Sequence, residues 1–138
     1  MIRFTDRINE SLDTQKISLD FHGVIDCMPS FFSFLSKAVI SSGGEIHILT
    51  GSSLSKEFEV KLKSLGVQWT HLFSVYDHLI ETGAKTTGEI VFPDGGIQKK
   101  FENGLWDHVK ADYCKKNNIA LHLDDTLIYN DFFCNSFL

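Results

Sequence analysis

Three apolar runs of the sequence end in residues that could do chemistry. Asp20 lies at the end of the first run, Thr50 follows the second, and Asp124-Asp125 closes the last. If the runs are parallel strands, these ends converge on one edge, which is where open α/β sheets bind ligands. A single Asp after a strand is unremarkable because turns favour it. Three carboxylates that gather beside a hydroxyl would repel one another without a cation. The pattern therefore indicates a metal-assisted site, and Mg²⁺ is the cation best suited to neutralise the carboxylates.

The elements that must position these residues alternate between short apolar runs and helical segments. Short apolar strands that alternate with helices favour a central, mainly parallel sheet with helices on both faces. Three longer helices are expected, over Pro29–Ser42, Ser53–Leu65 and from Leu105 to Asn117. The expected core face of the first carries Phe31, Phe34, Leu35 and Ala38. The four expected strands are Ile17–Phe21, Glu45–Leu49, Gln68–Val75 and Ile119–Leu123.

The segment from Tyr76 to Asn103 has a weaker pattern. A short helix near Tyr76–Glu81 precedes the turn sequence Pro93-Asp94-Gly95-Gly96. The segment is therefore predicted to be a small hairpin or lid, with a flap within Thr82–Gly96. The chain shows no repeat, low-complexity tract or linker, so residues 1–138 are expected to form one domain.

Four short motifs together resemble those of the haloacid dehalogenase-like hydrolase superfamily. Its first motif, usually Asp-x-Asp-Gly-Thr/Val, is similar to the segment that runs from Asp20 to Ile25. An apolar strand ending in Thr50 resembles the second motif, and Leu121–Asp125 resembles the fourth. The third is a lone Lys, for which Lys110 fits best while Lys99 and Lys100 stay open. The resemblance implies a three-layer α/β/α Rossmann-like fold without a large cap domain, and the activity of a small phosphatase.

The resemblance also assigns roles to residues. Asp20 would attack phosphorus and form an aspartyl-phosphate. Mg²⁺ would be held by Asp20, the backbone carbonyl of His22, and one or both of Asp124 and Asp125. Thr50 would donate a hydrogen bond to a phosphoryl oxygen, and Lys110 would balance the negative charge of Asp20 and the phosphate. Backbone N–H groups after Asp20 would cradle the transferring group, and the phosphate-binding set is Gly23, Thr50, Gly51 and Lys110.

His22 departs from the family pattern, in which phosphatases usually carry a second Asp there. That Asp protonates the leaving oxygen and then activates water. Histidine titrates near neutrality and could do both. The alternatives are that hydrolysis is impaired or lost, or that the chemistry differs. The two functional hypotheses are a phosphatase and a regulatory relative that binds Mg²⁺ and phosphate without efficient turnover.

The short intervals between the motifs leave no room for a large cap, so an open site is expected. Such a site suits a small phosphate ester, an exposed phosphate on a larger partner, or capping by an oligomeric partner. Trp106 is a core candidate that could instead line the pocket, and Cys27 is expected to be an inert buried thiol unless it faces the site.

The remaining histidines are interpreted as structural. His47 and His122 lie inside apolar runs and are expected to be buried, hydrogen-bonded core residues. His71 and His78 lack the paired Cys/His spacing of a zinc site.

Composition narrows the class of protein. Hydrophobic residues make up 43% and charged residues 22% of the chain, which is typical of a globular protein. The net charge of −5 argues against a nucleic-acid backbone as main partner. Three cysteines without paired spacing favour reduced thiols. No signal peptide or membrane span is visible, so the expected location is the cytoplasm.

Overall fold

The computed structural model describes residues 14–126 of the chain. Within that range the strands are β1 (Lys16–Asp20), β2 (Glu45–Thr50), β3 (His71–Ser74), β4 (Thr86–Val91), β5 (Ile97–Phe101) and β6 (Leu121–Leu123). The helices are α1 (Pro29–Ser41), α2 (Lys56–Ser64), α3 (Val75–Glu81) and α4 (Val109–Lys116). None of the helices in these residues is long and apolar enough to cross a membrane.

A central parallel sheet brings the motif-bearing strand ends together. Its order is β3-β2-β1-β6, and every neighbouring pair is parallel. Asp20 is paired with Leu49, and Leu19 is paired with Leu123. Thr50 and Asp124 are the next residues after these partners, so they follow at the same edge as Asp20. The predicted mixed α/β class with a central parallel sheet is therefore confirmed.

The strands β4 and β5 form a separate antiparallel hairpin, in which Val91 is paired with Ile97. The hairpin continues to Phe101, beyond the Thr82–Gly96 bounds expected for a flap. Gly95 adopts a φ of +87°, which suits the tight turn between the strands.

Side-chain caps set the starts of two helices. The Ser55 hydroxyl accepts a hydrogen bond of 3.1 Å from the Phe58 N–H and starts α2. Ser74 starts α3 in the same way, through the Asp77 N–H at 3.0 Å. The helix expected from Leu105 begins only at Val109, because residues 103–108 form turns.

The core packs against alternate residues of β2. Ile46 and Ile48 are fully buried in one cluster with Phe32 of α1 and Leu62 of α2. Leu49, which follows Ile48 and points the opposite way, packs with Ala111 and Cys114 of α4.

The expected core face of α1 was right for Leu35, which packs against the core, and wrong for Phe31, Phe34 and Ala38. Phe31 and Phe34 are exposed by 47% and 70%, whereas Phe32 and Ser36 are buried. Both faces of this helix carry large apolar residues, so their spacing alone did not identify the face that meets the sheet.

Candidate active site

The carboxyl ends of β1 and β6 hold two carboxylates on either side of one lysine. The Lys110 Nζ atom lies 3.0 Å from Oδ1 of Asp20 and 2.6 Å from Oδ2 of Asp124. The side chains of Asp20 and Asp124 are each 8% exposed and that of Lys110 is 4% exposed. Of the three lysines considered from the sequence, Lys110 is the one that contacts Asp20. We call Asp20, Lys110, Asp124 and the adjacent Asp125 the acidic edge.

Burial and neighbouring charges give the two carboxylates different proton affinities. Burial raises the pKa of Asp20, and the attraction of Lys110 only partly offsets this. Burial acts in the same direction on Asp124, but hydrogen bonds from His122 and Lys110 outweigh it and hold its pKa well below the usual range. Burial would lower the pKa of Lys110, yet the charge of Asp20 and the hydrogen bond to Asp124 raise it instead. The ammonium therefore stays charged between the two carboxyl groups.

The donor set of the acidic edge fits a hard divalent cation. One oxygen from each of Asp20, Asp124 and Asp125 lies within 4.8 Å of the others. Ligand oxygens around Mg²⁺ are about 3–4 Å apart, given bonds of about 2.0–2.1 Å. A small decrease in these distances would bring the three carboxylate oxygens to the spacing of Mg²⁺ ligands. Three carboxylates against one ammonium leave two negative charges, which a divalent cation would neutralise.

Gly23 makes room for the third carboxylate of the acidic edge. It adopts a φ of +80°, and a Cβ atom at this position would overlap the carboxylate of Asp125. The glycine of the first motif therefore has a packing role here, whatever else it does.

A buried hydrogen-bonded relay, which the sequence motifs did not include, lies behind the acidic edge. The Ser18 Oγ lies 2.6 Å from Nδ1 of His122, whose Nε2 lies 3.1 Å from Oδ2 of Asp124. A ring protonated at Nε2 donates to Asp124 and accepts from Ser18. Both histidines expected in the core, His122 and His47, are indeed buried and hydrogen-bonded. The sequence feature that could have indicated the relay is spacing, because Asp124 directly follows β6 and residues two apart in extended chain point to the same side.

A buried thiol adjoins the relay. Cys114 Sγ lies 3.4 Å from the Ser18 Oγ, and burial raises the pKa of the thiol to about 11. The thiol therefore stays protonated at neutral pH. Cys27, expected to be buried, is exposed instead.

Thr50 and His22 lie on the β2 side of the edge. Thr50 is fully buried, and its hydroxyl accepts a hydrogen bond of 3.1 Å from the Ser52 N–H. Because the oxygen is the acceptor, its hydrogen remains able to donate. The His22 ring is 60% exposed and lies 3.4 Å from the Ser52 Oγ and 3.6 Å from Oδ2 of Asp26. His22 thus lies at the mouth of the site, beside the loop that follows Thr50.

Two of the backbone N–H groups expected to cradle a phosphoryl group already have partners. The Phe21 N–H donates to Oδ1 of Asp20 at 2.9 Å, and the Gly23 N–H donates to Oδ1 of Asp26 at 2.7 Å. A phosphoryl group would have to displace these bonds to use the cradle.

A cavity of about 360 Å³ lies between the loop after Thr50 and the β4–β5 hairpin. Gly51 forms one side, and a Cβ atom added there would lie 3.1 Å from the Trp106 indole. Lys99 and Lys100 lie on the hairpin side of the cavity rather than at Asp20. Its complete lining is Gly51, Ser52, Ile90, Gln98, Lys99, Lys100, Phe101 and Trp106.

Comparison of the chain with protein-family models, with curated proteins and with solved structures gave no significant match. The function must therefore be inferred from the geometry of the acidic edge and the cavity beside it.

Proposed function

We propose that this protein is a Mg²⁺-dependent phosphohydrolase that cleaves a phosphate monoester through an aspartyl-phosphate on Asp20. The observation that carries the proposal is the buried Lys110 ammonium held between Asp20 and Asp124 at one end of a parallel sheet. Phosphoryl transfer depends mainly on positioning and charge stabilisation, which this arrangement supplies. The similarity of the four motifs to the haloacid dehalogenase-like hydrolases supports the same chemistry.

The proposed reaction has two steps. An Asp20 oxygen bonds to phosphorus while the bond from phosphorus to the ester oxygen breaks, and the leaving oxygen takes a proton from the His22 imidazolium to become an alcohol. Water then attacks the phosphorus of the aspartyl-phosphate and gives its proton to the neutral His22 imidazole, and the bond from phosphorus to the Asp20 oxygen breaks to release inorganic phosphate. Lys110 holds Asp20 in place and balances the charge of the phosphoryl group. Thr50 donates its hydroxyl hydrogen to a phosphoryl oxygen.

The bound metal would be held by Asp20, Asp124, Asp125 and the backbone carbonyl of His22. When bound, Mg²⁺ would offset the negative charge of the phosphoryl oxygens. The relay from Ser18 through His122 would keep Asp124 oriented and ionised for this task.

The cavity beside Thr50 is the proposed location of the leaving group. Its apolar wall includes Phe101 and Trp106, and two lysines lie beside them. This favours a substrate with a flat or apolar part and additional negative charge. The substrate is either a small phosphate ester or a phosphate exposed on a larger partner.

A second candidate function is binding of Mg²⁺ and phosphate without efficient turnover. It is favoured by His22, which replaces a carboxylate and lies exposed against Asp26 and Ser52. In this case Asp20 would bind ligand or form an aspartyl-phosphate that water does not clear.

Release of p-nitrophenol from p-nitrophenyl phosphate with Mg²⁺ tests both candidates. The wild type should release it, Asp20→Asn should not, and Asp94→Asn in the exposed hairpin turn should match the wild type. If His22 is the acid and base, His22→Ala should lose about 10²–10⁴-fold in rate. If His22 only fills space, His22→Ala should change little and His22→Asp should raise turnover.

Equal, background-level release by wild type and Asp20→Asn across a broad panel of phosphate esters would rule out the proposed phosphohydrolase activity. A burst of acid-stable protein-bound phosphate on Asp20 without steady release would identify the second candidate instead.

We also propose a three-layer Rossmann-like arrangement and a cytoplasmic location. Helices that pack on alternate residues of β2 support the first. The free thiols of Cys27 and Cys114 are consistent with a reducing compartment.

A further inference from the structure

A second group of metal-ligating side chains lies at the opposite end of the sheet. Glu45 is the first residue of β2 and Thr50 is its last, so about 16 Å of strand separates this group from the acidic edge. Its members are Glu45, His47 and His71. Strand register places them together, because His47 is paired with His71 on β3 and Glu45 precedes His47 by two residues on the same face.

The Glu45 carboxylate lies close to one nitrogen of each imidazole, and the three ligand atoms are within 4.8 Å of one another. Oε1 of Glu45 lies 2.9 Å from Nε2 of His47 and 3.5 Å from Nδ1 of His71. Ligands of a tetrahedral Zn²⁺ with bonds of about 2.0–2.1 Å are about 3.3 Å apart. Two imidazoles and one carboxylate suit Zn²⁺ and are poorly matched to Mg²⁺, which prefers oxygen. We infer that Glu45, His47 and His71 form a zinc site that links β2 to β3.

The environment of His47 supports this assignment. The ring is buried, and its Nδ1 lies 2.7 Å from the hydroxyl of Tyr113 on α4. A metal on Nε2 requires the proton on Nδ1, where Tyr113 would accept it, and such a partner holds a ligating ring in place.

The exposed side of the cluster leaves a position open for water. The side chains of Glu45 and His71 are 25% and 49% exposed. Three protein ligands with an open fourth position are typical of zinc sites that bind water or a small ligand. Lys16 lies 4.0 Å from the other oxygen of Glu45, Oε2, so it does not occupy the proposed ligand atom.

Zinc binding requires two local changes. The Nε2 atom of His47 now donates a hydrogen bond of 2.9 Å to Oε1 of Glu45, so its proton must move to Nδ1 before Nε2 can bind the metal. The His47 and His71 rings are stacked, with centroids 4.0 Å apart and an angle of 8° between their planes. A metal lies in the plane of the imidazole that binds it, and two parallel planes cannot share one ion. His71 must therefore turn out of the stack and leave its 2.9 Å bond to the Thr70 hydroxyl.

Zinc titration of the full chain tests the inference. The Cys27→Ser, Cys134→Ser variant serves as the background, since thiols also bind zinc. Competition with a chromophoric zinc chelator should show one site, and Glu45→Gln or His71→Ala should weaken it at least tenfold. Tyr113→Phe should weaken it about 10- to 100-fold, as loss of a group that orients a ligand does.

Two controls separate this site from the rest of the molecule. His108→Ala removes another exposed histidine beside a carboxylate and should leave the zinc affinity unchanged. The Asp20→Asn, Asp124→Asn variant should also keep it, whatever the fate of the proposed phosphohydrolase. Histidine side-chain NMR should show the His47 Nε2 signal shifting with one equivalent of zinc.

The inference would be overturned if no stoichiometric site is found, or if Glu45→Gln and His71→Ala bind zinc as tightly as the background variant. Both residues lie at strand starts, where His71 is exposed and Glu45 is partly exposed, so these variants should fold. Far-ultraviolet circular dichroism would verify this before titration.

Discussion

At the scale of single residues, the acidic edge depends on charges that are stable only together. The Lys110 ammonium touches Asp20 and Asp124, and all three side chains are nearly inaccessible to water. Removing one member of such a group leaves an uncompensated charge that water cannot reach. The free-energy cost of that buried charge exceeds the stability that the intact ion pair contributes.

Lys110→Met should therefore destabilise the fold by about 3 kcal/mol, the low end for breaking a buried pair. Urea unfolding without added metal measures it. Lys16→Met is the matched control, because Lys16 lies 4.0 Å from Glu45 with its side chain 28% exposed. That change should cost less than about 1 kcal/mol. Similar losses for the two variants would show that the buried contacts of Lys110 contribute little.

The lowered pKa of Asp124 makes a prediction about acid stability. The unfolded carboxyl takes up a proton near its usual pKa, whereas the folded carboxyl does so only at lower pH. Its contribution to stability is therefore present above the unfolded pKa and lost as the pH falls towards the folded one. The raised pKa of Asp20 acts in the opposite sense, since its contribution is lost as the pH rises through the folded value.

The stability advantage of wild type over Asp124→Asn should thus shrink as the pH is lowered from about 4, near the usual Asp pKa. Urea unfolding at a series of pH values with chelator present measures the difference. Glu102→Gln, which changes an exposed carboxylate, should stay close to the wild type throughout. A difference between wild type and Asp124→Asn that does not vary with pH would show that Asp124 is not the source of the acid dependence.

The sequence indicated some of these residues and could not indicate others. Asp20, Thr50 and the Asp124 pair were visible because they end apolar runs, and parallel pairing brings such ends together. The sequence did not distinguish among Lys99, Lys100 and Lys110, because separation along the chain does not determine which ammonium reaches Asp20 in the fold. The contacts of His22 with Asp26 and Ser52 also depend on loop conformation, which leaves no periodic signal.

At the scale of elements, the segment after β1 determines where Asp125 can lie. Residues Phe21–Ile25 form a wide turn in which Gly23 has a φ of +80°. Strand order alone could not predict that the Asp125 carboxylate would occupy the space beside this glycine, because that contact joins two loops far apart in sequence.

Gly23→Ala should displace Asp125 and weaken Mg²⁺ binding as well as the fold. Gly43→Ala is a matched control, since Gly43 has a φ of +85° but open space around its Cβ position. Both variants should lose roughly 1–2 kcal/mol from the backbone conformation. Only Gly23→Ala should also reduce the Mg²⁺-dependent rise in melting temperature, measured by calorimetry. An equal response to Mg²⁺ in both variants would show that Asp125 is not a Mg²⁺ ligand.

At the scale of the whole molecule, the sheet separates two unlike groups of side chains that could hold a metal ion. Oxygen ligands gather at the carboxyl ends of β1 and β6, and a mixed imidazole and carboxylate group lies at the start of β2 and β3. The first was predictable from the sequence. The second was not, since His47 and His71 are far apart in the chain and become neighbours only through strand register. Residue spacing along the chain does not indicate a site whose members lie on two different strands.

Mg²⁺ should stabilise the whole fold, because the acidic edge exists only when β1, β6 and α4 are assembled. A ligand that binds only the native state at ten times its dissociation constant adds about 1.4 kcal/mol. For a domain of this size that corresponds to a rise in melting temperature of roughly 4–6 °C. Melting with and without millimolar Mg²⁺ measures the shift, and Asp20→Asn with Asp124→Asn should abolish it while Glu45→Gln should not. No shift in the melting temperature of the wild type would argue against Mg²⁺ binding. A shift that survives the double substitution would show that Mg²⁺ binds outside the acidic edge.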